Sequence, residues 1–420
     1  MSVGEAPGPR DAAARPRLLP AVVLTAFLAR AAACWLLPVP PPEHRGLPNP
    51  DHYMRLGLTL LERGSLLGTD GGWTAEREPV YPAVLAASLA VARSARWVQL
   101  VQCAVGAVSV WLLFLLARGV LDERGALVAA GMLALHPQYL FYAATPMRET
   151  VQAAVLLLGL LALARAAAAP SARAYALAGA AAALAPLTNS AFLPWALGAA
   201  PLGVAWVHRG RREALAWAAA FLAAAAPVYG TWVARNYARF GTLVIGATTG
   251  GGGNLYMYLI VPNDAAGTPE QARIAADDPV LKELAGLGLS PVAADRWLYR
   301  KALARIAREP GRFLGLCAGR FVKLWRPIPY RRDYGHHWGL IVAASLASDV
   351  WLLPAAVAGM FVVGLAAPEA VFLHLFLLST SAVFTVLWAM VRYRLPMMLA
   401  VFVFAAAGLT RLWDRSRGAP

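Results

Sequence analysis

The chain has 420 residues, of which 59% are apolar and 15% are charged, and its mean hydropathy is +0.54. Because soluble domains carry about 25% charged residues, this composition excludes an ordinary soluble protein and indicates an all-α polytopic integral membrane protein. The formal net charge of +15 agrees with cytoplasmic loops rich in Lys and Arg, so we expect membrane lipids and no nucleic acid as partners.

Hydrophobic runs recur along the chain, and several are long enough to cross a bilayer, which takes about 20 residues. The polar residues 1–17 precede a run that is longer than a signal peptide, so we expect a cytoplasmic tail followed by a retained anchor helix. We predict about ten spans, at residues 18–37, 97–117, 126–146, 150–168, 174–189, 191–207, 214–234, 338–365, 369–391 and 395–413. Residues 414–420 then form a second cytoplasmic tail.

The short apolar run at 80–92 is ambiguous, because a run of this length more often forms an interfacial or re-entrant helix than a span. If it stays out of the membrane, the basic loops near residues 118–124, 165–173 and 208–213 lie on the same side as the basic N-terminus. The positive-inside rule favours that topology. We therefore expect both ends of the chain in the cytoplasm.

This topology places three polar segments outside the cell and two groups of spans between them. The outer segments are the loop 38–96, the stretch 235–337 and the turn VRYRLP at 391–396, and the spans fall within 97–234 and 338–413. In the first two outer segments, apolar residues recur at helical spacing between charged ones, which predicts amphipathic helices at the membrane surface. Arg320 and Lys323 argue against a further span at 311–327.

Arginines at the outer ends of spans need an explanation that the positive-inside rule does not give. They are Arg77, Arg148, Arg235, Arg392 and Arg394, with Arg320, Lys323, Arg326, Arg331 and Arg332 as further cations of the long outer stretch. Guanidinium groups at this level suit a phosphate through bidentate hydrogen bonds, and snorkelling to lipid headgroups explains such residues singly. For Arg392 and Arg394, in the predicted turn between two spans, we favour phosphate contact.

Three acidic residues are candidates for chemistry on the outer face. Asp51 begins the helical pattern HYMRLGLTLLERG, where an Asp commonly caps the backbone, but a carboxylate there can also deprotonate an acceptor hydroxyl or amine. Glu78 in REPVYP is the second candidate, with an ion pair to Arg77 as the simpler interpretation. Glu149 is the third candidate and directly precedes a predicted span. Two interpretations remain for it: stabilisation by the helix dipole, and contact with the substrate.

The remaining polar motifs are weaker indicators of function. TTGGGGNLYMY at 248–258 lacks the Lys-Ser/Thr of a P-loop, so its glycines favour a tight outer turn, with Asn254 and Tyr256 as candidate sugar contacts. Neither the histidines nor the cysteines have the spacing of a metal site or a disulfide framework: His136, His336, His337, Cys34, Cys103 and Cys317. We predict no metal site and no required cofactor, although acids beside a phosphate can recruit a divalent metal.

The order of these features resembles that of membrane glycosyltransferases with the GT-C fold, in the branch of dolichyl-phosphate-mannose protein mannosyltransferases and aminoarabinose transferases. Four stretches carry the resemblance: DHYMRLGLTLLERGSL with REPVYPAVLAASLA, LHPQYLFYAATPMRET, APVYGTWVARNYARFGTLVIGATTGGGGNLYMY, and VRYRLPMMLAVFVFAAAGL. The resemblance implies inverting transfer of a hexose or pentose from a polyprenyl-phosphate donor. The reaction would take place on the outer face of a bacterial plasma membrane, with a protein, a lipid or a cell-envelope glycan as the acceptor.

The resemblance also assigns roles to residues. It implies that Asp51 is the catalytic acid of the first outer loop, and that Glu149, Arg235-Asn236 and Arg392-Tyr393-Arg394 match family motifs. In the combined hypothesis Asp51 activates the acceptor with Glu78 or Glu149 assisting, and the donor phosphate is bound by Arg392, Arg394, Arg235 and Arg77. Substrate contacts are expected from His52, Tyr53, Asn236, Asn254, Tyr256 and Tyr393. His52 after Asp51, and Asn189 in the fifth span, depart from many relatives.

A transporter or lipid flippase is the alternative function. Transporters often contain internal repeats and ionisable residues near the middle of the bilayer. This sequence has no repeat, and Arg30 is its one clear charge within a span, whereas its other polar groups gather at one face. That distribution favours chemistry at the membrane surface. A third hypothesis is a subunit that keeps the fold without activity.

Overall fold

The computed structural model describes residues 18–37, 43–69, 71–246, 251–262, 265, 268–329, 331, 338–387 and 389–416. Over these residues the chain is almost entirely helical, and the only β structure is two isolated bridges, His44–Leu47 and Leu67–Trp73. The N-terminal tail at 1–17, the start of the glycine-rich turn, His336-His337 and the end of the C-terminal tail lie outside the described residues.

Nineteen α-helices occur among the described residues. The first half of the chain forms α1 Leu19–Leu36, α2 Tyr53–Arg63, α3 Val80–Val91, α4 Ala95–Ala117, α5 Glu123–Leu135, α6 Pro137–Ala144, α7 Glu149–Ala168, α8 Ala172–Ala182, α9 Ala200–Val207 and α10 Ala214–Phe240. The second half forms α11 Gly251–Ile260, α12 Pro269–Asp277, α13 Pro279–Gly286, α14 Pro291–Arg308, α15 Pro310–Trp325, α16 Trp338–Ala347, α17 Asp349–Val363, α18 Pro368–Val386 and α19 Val391–Ser416. A 3-10 turn and a π-helical turn lead into α9, so that Ser190–Val207 is one apolar segment.

Eight segments of the described chain are long and apolar enough to span a membrane, and a ninth results if the bent pair α5–α6 counts as one span. Of the ten segments predicted as spans, nine correspond to these candidates. The difference lies at 174–189, where α8 has 11 residues and ends at Ala182, after which the chain turns as far as Asn189. The run at 80–92, predicted to be interfacial or re-entrant, is α3, whose 12 residues are too few to span by themselves.

The predicted turn at 391–396 is also wrong. Helix α18 ends at Val386 and α19 begins at Val391, so the connection falls at 387–390. Residues 391–396 instead form the first turns of a 26-residue helix. Arg392 and Arg394 consequently have helical spacing, and their side chains leave the helix in different directions.

Helix α19 lies at the centre of the bundle, where its apolar residues from Leu395 to Ala407 are buried. It packs directly on α17 through two glycines. A Cβ on Gly359 would lie 1.7 Å from the Phe404 carbonyl oxygen, and one on Gly408 would lie 2.3 Å from that of Ala355. Small residues let membrane helices approach backbone to backbone, so this pair of helices forms a rigid central support.

The break between α5 and α6 comes from Pro137, because proline lacks an N–H and disfavours helical geometry in the residue before it. His136 is accordingly extended, with φ −62° and ψ 123°. Within a membrane, the carbonyls freed at the end of α5 need partners from the protein. Arg30 of α1 supplies them: its guanidinium donates to the carbonyl oxygens of Leu133 and Ala134, each at 3.1 Å.

A second buried polar cluster lies beside the same break. His136 Nε2 lies 3.1 Å from Asp349 Oδ1, and Arg394 donates to Asp349 Oδ2. All three side chains are buried. Asp349 is the first residue of α17 and Arg394 lies in the first turn of α19, so this cluster, called here the triad, joins the ends of three helices and fixes the start of α19.

Candidate functional site

Asp51 lies in a strained turn of the loop at 38–96, for which we keep the name first outer loop from the predicted topology. Its φ is +51° and that of His52 is +65°, a conformation that residues with side chains rarely adopt and that is often found at functional sites. A free N–H of the first turn of α2 is satisfied by Asn49, whose Oδ1 accepts the N–H of Arg55 at 2.9 Å. The Asp51 carboxylate is thus not needed as a cap, and it points away from α2 toward an arginine.

That arginine is Arg392, which bridges two of the candidate acids. Its Nη2 lies 2.9 Å from Asp51 Oδ2, and its Nε lies 2.5 Å from Glu149 Oε1. The guanidinium also lies 5.8 Å from the centre of the Tyr142 ring. The fold therefore brings together residues from the first outer loop, the start of α7 and the start of α19, which are far apart in the sequence.

Arg77 is the second arginine that contacts Asp51. Its Nε donates to the Asp51 carbonyl oxygen at 3.1 Å, and its Nη2 lies 3.7 Å from Asp51 Oδ1. Partial burial raises the pKa of Asp51, but Arg392 and Arg77 lower it by more, so that the pKa of Asp51 lies below its ordinary value. Asp51 is therefore ionised at neutral pH.

Glu78 pairs with Arg148, not with Arg77 as the sequence suggested. Glu78 Oε2 lies 2.9 Å from Arg148 Nη1, and Oε1 accepts the Ser190 N–H at 2.7 Å. Only 2% of Glu78 is exposed. Because both carboxylate oxygens are engaged, Glu78 ties the first outer loop to the residues that precede α7 and α9.

A cavity of about 760 Å³ opens beside this charged cluster. Its near side is formed by Arg77, Glu78, Arg148 and Tyr393. One part of the lining, called here the apolar wall, consists of Leu193, Pro194, Val383, Phe384 and Leu387, and another part, called here the polar wall, consists of Asn254, Tyr258, Asp295, Arg296 and Tyr299. The cavity thus offers surface suited to hydrocarbon and surface suited to a hydroxyl-rich group, and arginines line it as well.

Several predicted site residues lie at or near this cavity. Asn254 and Tyr393 line it, and the Tyr393 ring stacks on Phe384 with centroids 5.3 Å apart. His52 Nδ1 lies 3.3 Å from Glu76 Oε1, while Tyr53 is buried beneath Arg77. Their chemical roles stay predictions.

Four other predicted residues are not brought to the cluster. Arg394 is fully buried in the triad and also donates to the Arg326 carbonyl oxygen at 2.9 Å. Arg235 donates to the Thr74 carbonyl oxygen at 3.0 Å and to Asn236, and it lies between the rings of tryptophans and Phe240. Asn236 is buried, and the Tyr256 hydroxyl donates to Asp278. The structure thus gives these four side chains partners elsewhere.

The polar wall contributed by α14 was missed by the sequence analysis, which treated that helix as a surface element. Asp295 Oδ1 accepts the N–H groups of Gly252 and Gly253 at 2.6 and 3.2 Å, which fixes α11 against α14. Burial raises the pKa of Asp295 above its ordinary value, although these N–H groups act in the opposite direction. A Cβ on Gly252 would lie 2.0 Å from the Asp295 carbonyl oxygen. This glycine therefore permits close helix packing.

The described residues contain no group of three or more His, Cys, Asp or Glu side chains that could hold a metal ion. Asp51 and Glu149 are bridged by the guanidinium of Arg392. The guanidinium thus takes the space between these two carboxylates. Whether a divalent metal takes part stays a question for experiment.

Comparison with solved structures decides the fold. AglB, the oligosaccharyltransferase of Archaeoglobus fulgidus, in complex with an inhibitory peptide and a dolichol-phosphate, aligns over 95% of this chain with a TM-score of 0.57 and 18% identity. The same enzyme tethered with an acceptor peptide aligns over 94% with a TM-score of 0.56 and 17% identity. This chain has the GT-C fold. It spans about half of those chains, 51% and 50% respectively.

Residues 76–232 of this GT-C protein match the family model of dolichyl-phosphate-mannose-protein mannosyltransferases, which agrees with the predicted resemblance. The matched segment contains Arg77, Glu78 and Glu149 but neither Asp51 nor Arg392. ArnT from Cupriavidus metallidurans bound to undecaprenyl phosphate aligns over 95% of this chain and 78% of its own, with 14% identity and a TM-score of 0.38. A search of curated proteins found no match.

Proposed function

We propose that this GT-C protein is a membrane glycosyltransferase that moves a sugar from a polyprenyl-phosphate donor to an acceptor on the outer face of a bacterial plasma membrane. One observation carries the proposal: an ionised carboxylate, Asp51, lies between two arginines beside a cavity with one apolar and one polar wall. The family match and the dolichol-phosphate bound to AglB support the donor class.

The apolar wall suits the isoprenoid tail. Val383, Phe384 and Leu387 lie near the end of α18, a spanning helix, and therefore connect the cavity with the hydrocarbon region. A long hydrocarbon chain gains free energy when it leaves water for such a surface. The headgroup of the same molecule would then reach the arginines at the near side of the cavity.

Arg77 is the best candidate to bind the donor phosphate. Arg392 already contacts two carboxylates, and Arg148 contacts Glu78, so the charges of both are largely balanced. Arg77 lines the cavity and has about one third of its side chain exposed. Its ion pair with Asp51 is long, at 3.7 Å, and its other contacts are with the carbonyl oxygens of Asp51 and Glu76, which carry no formal charge. When the bond between the sugar C1 and the phosphate oxygen breaks, the phosphate gains negative charge, which a nearby guanidinium stabilises.

Asp51 would orient the acceptor and accept its proton. In this step the acceptor oxygen or nitrogen bonds to the sugar C1, its proton passes to Asp51, and the bonding pair to C1 leaves with the phosphate. Attack on the face opposite the phosphate inverts the configuration at C1. Because the pKa of Asp51 is lowered, proton transfer is expected late, when the acceptor has become acidic through bonding to C1. Glu149 assists by holding Arg392 in place.

In-vitro transfer from a panel of polyprenyl-phosphate hexoses and pentoses tests the proposal. Asp51→Asn is expected to lower the rate with every active donor by about 10²–10⁴-fold, the usual contribution of a general base. Glu62→Gln is the matched control, because Glu62 is an acid of the same loop that pairs with the exposed Arg45 and Arg93. Full activity of Asp51→Asn would refute the role of Asp51. Lipid translocation without transfer from any donor would favour the flippase alternative.

A further inference from the structure

A second cavity lies at the opposite end of the bundle from the candidate site. Its volume is about 290 Å³, and it is formed by the α4–α5 connection, the end of α17 and the last turns of α19. Arg411, which lines it, follows Arg392 by 19 residues of continuous helix, or about 28 Å at about 1.5 Å per residue. That distance matches the hydrocarbon thickness of a bilayer, so this cavity lies at the inner boundary of the membrane.

The lining of this inner cavity combines charges of both signs with an apolar floor. Arg124, Arg411, Asp122 and Asp414 contribute the charges, and Val362, Val363 and Ala407 are among the apolar residues. Two arginines and two aspartates balance, so the cavity has no formal net charge. A purely anionic ligand therefore gains little electrostatic binding free energy. A ligand that carries both a cation and an anion can form favourable contacts with all four groups.

These charges do not neutralise one another. Within the described part of the chain, the side chains of Arg411 and Asp414 form no hydrogen bond or ion pair. Arg124 packs over the Trp413 ring at 5.1 Å from its centre. Asp122 uses one oxygen, Oδ1, to accept the Gly125 N–H at 2.8 Å as the cap of α5. Hydrogen-bonding capacity on both arginines and both aspartates thus remains for a ligand.

One side of the cavity adjoins exposed apolar residues that we infer to face the lipid. Val362 lines it and is 52% exposed, and the neighbouring Phe361 is 84% exposed. Both belong to α17, which is part of a predicted span. A molecule in this cavity can therefore keep hydrocarbon chains against α17 while its polar group contacts the charged rim. A water-soluble phosphate compound would lack that contact.

We propose that the inner cavity binds the headgroup of a zwitterionic phospholipid with a primary amine, of the phosphoethanolamine type. Arg124 and Arg411 bind the phosphate through charge-assisted hydrogen bonds, and Asp122 and Asp414 accept hydrogen bonds from the ammonium group. A choline headgroup carries no N–H for the aspartates, and a glycerol headgroup carries no cation. The volume equals that of roughly ten waters at about 30 Å³ each, which is enough for such a headgroup.

Lipid retention by the full chain tests the proposal. The protein is exchanged into nanodiscs that contain equal amounts of phosphatidylethanolamine, phosphatidylcholine and phosphatidylglycerol, released, and weighed with its bound lipid by native mass spectrometry. Phosphatidylethanolamine is expected to be enriched about fivefold over the bulk ratio. The double variant Arg411→Gln/Asp414→Asn is expected to lose the enrichment. The control Arg165→Gln, which changes an exposed arginine outside the cavity, is expected to keep it.

The outcomes that would overturn the proposal are distinct. Lipid bound at the bulk ratio, a preference for phosphatidylglycerol, or unchanged enrichment in the double variant would each exclude this headgroup site. Displacement of bound lipid by an equal concentration of glycerophosphoethanolamine would show that the cavity selects a free phosphate compound and not a lipid. Both single variants are measured as well, so that misfolding of one does not decide the result. The inner cavity shares no residue with the proposed transferase site, and failure of either leaves the other standing.

Discussion

Replacing Asp349 with asparagine removes the central carboxylate of the triad. Asp349 Oδ1 lies 3.1 Å from His136 Nε2, which is hydrogen-bond distance, and Asp349 also forms an ion pair with Arg394. Asp349 is 3% exposed and Arg394 is fully buried. An amide keeps the shape of the side chain and can accept a hydrogen bond, but it cannot balance the charge of the guanidinium.

The expected loss of stability is about 3–5 kcal/mol, the cost of leaving one member of a buried ion pair without its partner. Removing both charges in Asp349→Asn/Arg394→Met should recover part of that loss, because the unpaired charge is then gone. Recovery is incomplete, since Arg394 also donates to the carbonyl oxygens of Leu324 and Arg326. Each of those hydrogen bonds is worth about 1 kcal/mol.

Reversible unfolding by SDS in mixed micelles measures these differences for the wild type, the two single variants and the double variant. The four values form a double-mutant cycle, and we expect a coupling energy of about 3 kcal/mol between Asp349 and Arg394. A loss below about 1 kcal/mol for Asp349→Asn, or a double variant less stable than that single variant, would refute the assignment of a strong buried pair.

Two further predictions concern the outer site and the central helices. Arg77→Gln removes one of the arginines that lower the pKa of Asp51, so the acid limb of the pH–rate profile should move to higher pH, because the ionised base is lost as the pH falls through that pKa. Arg77→Lys should move it less, and an unmoved limb in Arg77→Gln would contradict the ion pair. Gly359→Ala places a Cβ 1.7 Å from the Phe404 carbonyl oxygen and should lower the Tm strongly, whereas Gly315→Ala, with nothing described within 4 Å, should leave it nearly unchanged. Equal Tm values for both variants would show that α17 can move away at little cost.

The length and apolar character of the spans made most of the fold predictable, since hydropathy alone identifies helices that cross a bilayer. The structure of residues 174–189 could not be predicted from hydropathy. Its alanine-rich sequence is apolar enough for a span, yet the helix ends at Ala182 and the chain reaches Asn189 through turns. Where an apolar helix ends inside a bundle is decided by its packing partners, which hydropathy does not contain.

The contacts of Arg392 and Arg394 depend on whether residues 391–396 form an extended turn or a helix. In an extended turn both side chains can reach the same ligand, which was the prediction. In a helix, residues two apart point about 200° from each other around the axis, so Arg392 faces Asp51 and Glu149 while Arg394 faces the triad. The long apolar pattern after residue 395 could have indicated that the helix begins earlier.

The remaining site residues depend on tertiary contacts that no local pattern contains. Asp51, Glu149 and Arg392 could each be placed at an outer helix end from the sequence, but the guanidinium that bridges both acids could not. Arg235 seemed available for phosphate, but in the fold it lies against the ring of Trp73 from a distant segment as well as that of Trp232 in its own helix. The polar wall of α14 likewise becomes part of the cavity only when Asp295 fixes α11 against it.

Arg30 has a consequence for how the protein is made. It is buried in α1, and its acceptors Leu133 and Ala134 follow 103 and 104 residues later in the chain. A lone arginine at the centre of a bilayer costs about 2.5–3.5 kcal/mol on insertion scales. Until those later residues are synthesised, moving α1 from the translocon into lipid costs this free energy. The final integration of α1 should therefore coincide with the arrival of α5.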